Sequence, residues 1–288
     1  LDEHRNMLLN TLCNPQNRLA SPENAVNASE KYIPLMYILI DTLNNMSEQM
    51  PLKKPLSFEW RGSLASQIRY AGEEAVGKSV DMAFEIIMSL HSYSIALHSH
   101  AYKLICRMTQ QEISATRATK AIPYSNLDKL SIDDNITKAG KQLCIAAGVT
   151  SFIADHVLSR WTSAPNIPGR VPEVLTSIEK GLTSYLLGCA QMLVITKAVH
   201  DNRSNNGNIT SDNVLSRLCY GVASLMQQFL RTIKEAGQHA MNCCDRNWLY
   251  HAIHCRELYQ AYAHCYRGEM MYKKNSTKDH CLGIAIGH

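Results

Sequence analysis

Charge is scarce in this chain, and nowhere is it concentrated. Of 288 residues, 19% are charged and 45% hydrophobic, with a formal net charge of +4. Lysine and arginine are scattered without a dense stripe, which excludes the electrostatic footprint of a nucleic-acid binder. With a pI near 8.5, a weak attraction to acidic membrane surfaces is as much as the charge supports. Long apolar runs are missing too. The longest, near residues 32–40 and 185–195, are interrupted by Pro34 and Gln191 and read as too short to span a bilayer. There is no visible secretory leader, P-loop, nucleophile elbow or glycine-rich dinucleotide turn. Strand patterning is nearly absent, and no exact internal repeat recurs.

Helical periodicity is what the chain has in quantity. Residues 24–50 carry Val26, Tyr32, Ile33, Met36, Leu39, Ile40 and Leu43 in a helical rhythm that ends at Pro51 and Pro55. A short extended piece, Leu56 to Arg61, follows; Phe58 and Trp60 flank Glu59 and suggest an anchored connector. From Glu73 to about Ser114 the pattern is apolar on most sides (Val80, Phe84, Ile87, Met88, His91, Ile95, Leu97, Ala101, Leu104), as a central helix requires. A helix over 133–161 is expected next, with Ser131 as its N-cap, and Pro165, Pro168 and Pro172 break it. Two more follow at about 171–201 and 210–243, separated by the turn-forming stretch 202–208. The second carries a core stripe of Leu215, Cys219, Val222, Met226, Phe229 and Ile233.

The last forty residues read as a helical hairpin. Leu249, Ile253, Leu258, Tyr262, Cys265, Tyr266 and Met270 are assigned to one face, with small residues at Ala261 and Ala263. A polar break at Lys273–Ser276 precedes a new apolar segment from Cys281. Small residues let helices approach closely, so the expectation is an all-α array of about seven long helices. Such arrays usually bind other proteins.

The ten cysteines could suggest a disulfide framework. Most, however, fall inside expected helices (Cys106, Cys144, Cys189, Cys219, Cys255, Cys265), where cysteine acts as a small buried hydrophobe. Reduced thiols are therefore expected. His251, His254 and Cys255, with Cys243 and Cys244 upstream, form the one cluster that suggests zinc. Its spacing matches no closed structural motif, so packing or solvated residues are the preferred reading. His91, His98 and His100 belong to packing or surface, and Glu73–Glu74 and Asp133–Asp134 look like helix-start carboxylates.

Several stretches resemble, in order, the BRO1 domain of endosomal-sorting proteins. Phe58-Glu59-Trp60 followed by Ser63-Leu64 is similar to the family's aromatic entry segment. Asp81–Ala101 resembles its central helix. Lys138-Ala139-Gly140 with Ala146-Ala147-Gly148-Val149 resembles the next, with Thr150 where an aromatic is usual. Ala190-Gln191, Lys197-Ala198 and Asp201 match a further helix, and Tyr259–Tyr266 with Cys281–Ala285 the closing segments. The resemblance spans roughly residues 30–288 and lies in order and spacing more than in any single motif.

That resemblance implies a curved helical solenoid with tetratricopeptide-like hairpins. Residues 1–288 would form a single BRO1-like domain, a fragment lacking parts of both ends. Its concave face would bind the C-terminal amphipathic helix of an ESCRT-III filament subunit. By position, the family's hydrophobic contacts fall on Val194, Val214 and Leu218; Val194 stands where some relatives carry a large aromatic, implying a shallower pocket. Lys197 and Arg217 are candidate rim cations for an acidic partner helix. The expected protein is a non-enzymatic adaptor without cofactor or metal, cytoplasmic and peripheral on acidic endosomal membrane, and it binds no nucleic acid. A generic peptide-binding helical scaffold and a zinc-binding helical protein are the alternatives.

Overall fold

The computed structural model describes residues 2–13, 21–46, 57–61, 64, 76–118, 126–161, 171–204, 210–238, 241 and 244–275. Seven α-helices appear among them: α1 (Asp2–Cys13), α2 (Pro22–Met46), α3 (Met82–Ala118), α4 (Asn126–Phe152), α5 (Thr176–Ser204), α6 (Asp212–Glu235) and α7 (Arg246–Asn275). Each packs on the next in the chain, the arrangement of a helical array. One two-stranded antiparallel ribbon, β1 (Phe58–Arg61) with β2 (Val76–Ser79), lies between α2 and α3.

The ribbon corrects the expected start of the central helix. Residues 76–79 pair with β1, Phe58 opposite Ser79 and Arg61 opposite Val76, so they are strand and not helix. Val80 is exposed and lies outside α3. The helix opens at Met82 because the Asp81 carboxylate accepts the Ala83 N–H at 2.9 Å and so caps its first turn. The Trp161 indole donates to the other Asp81 oxygen at 2.5 Å and ties the end of the α4 segment to this corner.

Other boundaries move for similar local reasons. Ser131 lies inside α4 and does not cap it. After Phe152 the helix widens into a π turn, Ile153–Val157. A 3-10 turn, Pro172–Val174, precedes α5. The helix expected to reach residue 243 stops at Glu235, where Gly237 takes φ +93°, a left-handed conformation that favours glycine. Helix α5 extends beyond the interrupted apolar run read from sequence, and Thr176–Asn202 is long and apolar enough to cross a membrane by length and composition. The fold uses it as a core helix between α4 and α6.

One core lies under α1, α2, the ribbon and the start of α3, built on Leu8, Tyr32, Met36, Phe58, Trp60, Phe84, Ile87 and Ile153. A second runs through α3 to α7, with Leu97, Leu143, Ile178, Leu182, Leu186, Met226 and Phe229. The α6 stripe expected from sequence is buried in full. The α7 face is not as expected. Its buried positions are Ala252, Cys255, Ala263 and Gly268, with Tyr259 and Tyr266 packed alongside, whereas Ile253, Leu258 and Tyr262 are exposed. Helices in close contact put their small residues at the contact, and the bulky ones fall to the flanks. The second arm of the expected hairpin, from Cys281, lies outside the described residues.

Buried polar groups bind the layers together. The fully buried Glu85 carboxylate accepts from Tyr32 Oη (2.6 Å), Trp60 Nε1 (2.5 Å) and Arg5 Nε (2.8 Å), joining α1, α2, β1 and α3 at one point. Arg5 also lies over the Phe58 and Trp60 rings, 5.8 and 5.9 Å from their centroids. Glu85→Ala leaves three donors facing a void. A loss of about 3 kcal/mol in urea unfolding is expected, and a change under about 0.5 kcal/mol would show that the network carries no net stability.

Between α3, α5 and α7 sits an aromatic junction, with His98 5.3 Å from the Trp248 ring and 6.0 Å from Tyr185. Burial, helped by nearby His251, pushes the His98 imidazole down to about 4. The unfolded chain therefore takes up a proton near pH 6.5 that the folded chain refuses until about pH 4. Stability from this group is complete above pH 6.5 and declines as pH falls through that window. His98→Phe should flatten the drop in melting temperature between pH 7 and pH 5; an unaltered drop would assign it elsewhere.

Candidate functional site

The α5–α6 pair presents the surface on which the sequence-predicted residues fall. The two helices are antiparallel, and glycines set their separation. A Cβ built on Gly181 would lie 2.6 Å from Thr232 Oγ1 and 3.4 Å from the Phe229 ring. A Cβ on Gly221 would overlap the Gln191 side chain. That side chain lies across the gap and donates from Nε2 to the Leu218 carbonyl at 2.6 Å. Gln191, which breaks the apolar run in sequence, is thus the polar tie that fixes the register of the pair.

This register brings the candidate residues together. On α5, Leu187, Gln191 and Val194 recur at helical spacing on one face, and Leu187 and Val194 are 39% and 54% exposed. Val194 stands a turn beyond Gln191, whose amide reaches the Leu218 carbonyl; Val214 is 45% exposed a turn earlier on α6, and Leu218 is half-buried. On α6 the buried stripe runs through Leu215, Cys219, Val222, Met226, Phe229 and Ile233; Leu218 packs against its edge, and Val214 lies about 100° from Leu215, outside it. Leu187, Val194, Val214 and Leu218 are therefore the candidate apolar strip of the pair, with Gln191 lying over Gly221 between the helices. Isolated exposed aliphatics need no explanation, but a continuous strip on two paired helices suits a docked apolar surface.

Lys197 is half-buried and Arg217 exposed, each one turn from a strip residue. Neither takes part in an ion pair among the described residues. Sequence reasoning missed Leu187 and Gly221. The signal for Leu187 was available, since it stands two turns before Val194 on the same face; Gly221 becomes meaningful only once Gln191 is known to lie over it.

The strip offers no nucleophile. The Cys189 thiol behind it is pushed up to about 12 by burial and Cys255, and Cys219 up to about 11 by burial. Both stay protonated at neutral pH and act as apolar packing. Cys106, Cys144, Cys189, Cys219, Cys244, Cys255 and Cys265 are free thiols. The histidine and cysteine cluster near residue 251 serves packing: His251 Nδ1 is 2.8 Å from Tyr185 Oη, and Cys255 Sγ lies 3.5 Å from His251 Nε2. Among the described residues, no third ligand atom joins that pair closely enough to share an ion. Cys243 lies outside the described residues. His91, fully buried, stands 2.6 Å from Glu179. Burial opposes its charge, but Glu179 and Glu173 outweigh that and raise its affinity for a proton.

Gly181→Ala tests whether close approach governs the pair. Helix propensity alone favours the alanine by about 1 kcal/mol, while overpacking costs about 1–3 kcal/mol. Net destabilisation of about 1 kcal/mol in urea unfolding is expected, and net stabilisation would show that the helices separate freely.

A family model described as BRO1-like domain matches residues 9–288. The human BRO1 domain-containing protein BROX is 22% identical over 261 residues, which are 87% of this chain and 51% of that protein. Its counterpart in Danio rerio is 20% identical over the same shares. The chain therefore spans about half the length of the curated relatives it matches. Among solved structures, the chain is similar to a chain of the ALIX BRO1 CHMP4C complex, with a TM-score of 0.60 and 14% identity over 88% of this chain and 58% of that one. That likeness shows the fold, a curved all-α array.

Proposed function

The chain belongs to the BRO1-like domain family, and from that premise we propose that it is a non-enzymatic adaptor whose α5–α6 strip receives the C-terminal amphipathic helix of an ESCRT-III subunit. One observation supports the reading: Val194 and Val214 are exposed and Leu218 half-buried on two helices that Gln191 ties in register. An amphipathic helix laid in such a strip buries its apolar face, and a polar rim fixes its direction. Lys197 and Arg217 supply that rim and favour an acidic partner helix. A valine at 194 leaves a shallow pocket, so the contact takes small or medium apolar anchors. The similar solved structure is a complex of the ALIX BRO1 domain with CHMP4C, an ESCRT-III subunit, which supports the choice of partner.

The wider role follows from the family. The adaptor acts in the cytoplasm, peripheral to endosomal membrane, in multivesicular-body sorting. The mildly basic balance suits transient contact with an acidic lipid surface but gives no anchor. Residues 1–288 read as one helical domain within a longer protein.

Calorimetric titration with a panel of ESCRT-III C-terminal peptides tests the reading. One or more should bind, and Leu218→Asp should weaken that binding by at least about 30-fold, the effect of losing one hot-spot residue. Its melting temperature should stay near that of the parent, because Leu218 is half-buried at the edge of the core. Undiminished binding by the variant would move the site, and no binding by the parent chain would sink the adaptor reading.

A further inference from the structure

Away from the strip, Asp133 on α4 meets His200 and Asp201 near the end of α5, and their ligand atoms all lie within 4.8 Å of one another. Successive helical residues such as 200 and 201 point about 100° apart, so convergence of both on a third residue is not what a solvated surface produces. A second observation concerns satisfaction. Asp133 Oδ1 and His200 Nδ1 are both buried from solvent and have no hydrogen-bond partner. Each such atom left bare costs about 1–3 kcal/mol, and here both residues belong to one cluster. A third concerns field. The C-terminal end of a long helix carries partial negative charge and unsatisfied carbonyls, which favour a cation there.

We propose that Asp133, His200 and Asp201 form a divalent transition-metal site. Donors bound to one ion at about 2.1 Å stand about 3–4 Å apart, so the triad needs only small side-chain rotations to close. One imidazole with two carboxylates is a borderline set: it suits zinc or manganese better than the all-oxygen shells of magnesium and calcium. Three protein ligands leave at least one position for water. The ion would staple α4 to the end of α5, beside the corner where Asn202 brackets Thr210 through two hydrogen bonds of 2.8 Å. It requires nothing of the peptide strip, and the strip requires nothing of it.

Manganese is the probe of choice because, unlike zinc, it largely ignores the chain's many thiols. The full chain, stripped of metal, should bind one equivalent of Mn²⁺ as followed by loss of the free-ion electron paramagnetic resonance signal, and Zn²⁺ should displace it. Either ion should raise the melting temperature. Asp133→Asn and His200→Gln should each weaken Mn²⁺ binding at least about tenfold. Each should also leave the metal-free melting temperature near that of the parent, since the new amide N–H can donate to the bare acceptor opposite. Absence of Mn²⁺ binding to the parent chain, or binding unchanged in both variants, overturns the site. If one variant fails to fold, the other decides.

Discussion

The spacing of α5 and α6 governs everything the candidate site can do. Two helices approach closely only where side chains permit it, and here Gly181 and Gly221 permit it at two levels of one interface. Once the backbones are this near, the Gln191 amide can reach the Leu218 carbonyl, and that bond selects one register. The register then decides which aliphatic side chains become neighbours. Gln191 and Gly221 thereby fix which turns of α5 and α6 face each other.

Rigidity of that pair depends in turn on how it is held at its ends. At one end, Glu173 accepts the Leu64 N–H at 2.9 Å, and the Leu64 carbonyl accepts the Asp245 N–H at 2.8 Å, so one residue of the connector pins both the start of α5 and the approach to α7. His91 and Glu179 add a buried contact between α3 and α5. Such groups are expensive to bury, and each is retained with a partner in place. They contribute specificity of position more than net stability. Apolar packing supplies the stability, while the carboxylates determine which apolar faces come together.

Much of this was legible in the sequence. The α6 stripe from Leu215 to Ile233 obeys a simple period and is buried in full, because a helix with neighbours on one side leaves little ambiguity. The anchored aromatics Phe58 and Trp60 were legible for the same reason, alternation about the exposed Glu59. What failed did so where tertiary pairing overrides local pattern. Residues 76–79 read as helix because their partner strand lies beyond an intervening segment. The α7 face was assigned to its large side chains, although close helix contact is made by Ala252 and Ala263. In sequence Asp133 read as a helix-start carboxylate and Asp201 as part of a family-like helix, since their meeting is a property of the α4–α5 packing alone.

The separation of tasks within single helices explains how a core helix can also carry the exposed aliphatics of a candidate site. Helix α5 is apolar enough to be mistaken for a membrane span, yet its apolarity divides between two purposes. Ile178, Leu182, Leu186 and Leu193 are buried and hold the array together, whereas Leu187 and Val194 lie a quarter-turn away and stay in solvent. Exposing aliphatics forgoes about 25 cal/mol for each Å² left unburied, and folding alone would favour polar residues there. A core that is already continuous through α3 to α7 makes that loss tolerable. The exposed positions can then answer to a partner, while Gln191 and the glycines keep them in place before any partner arrives.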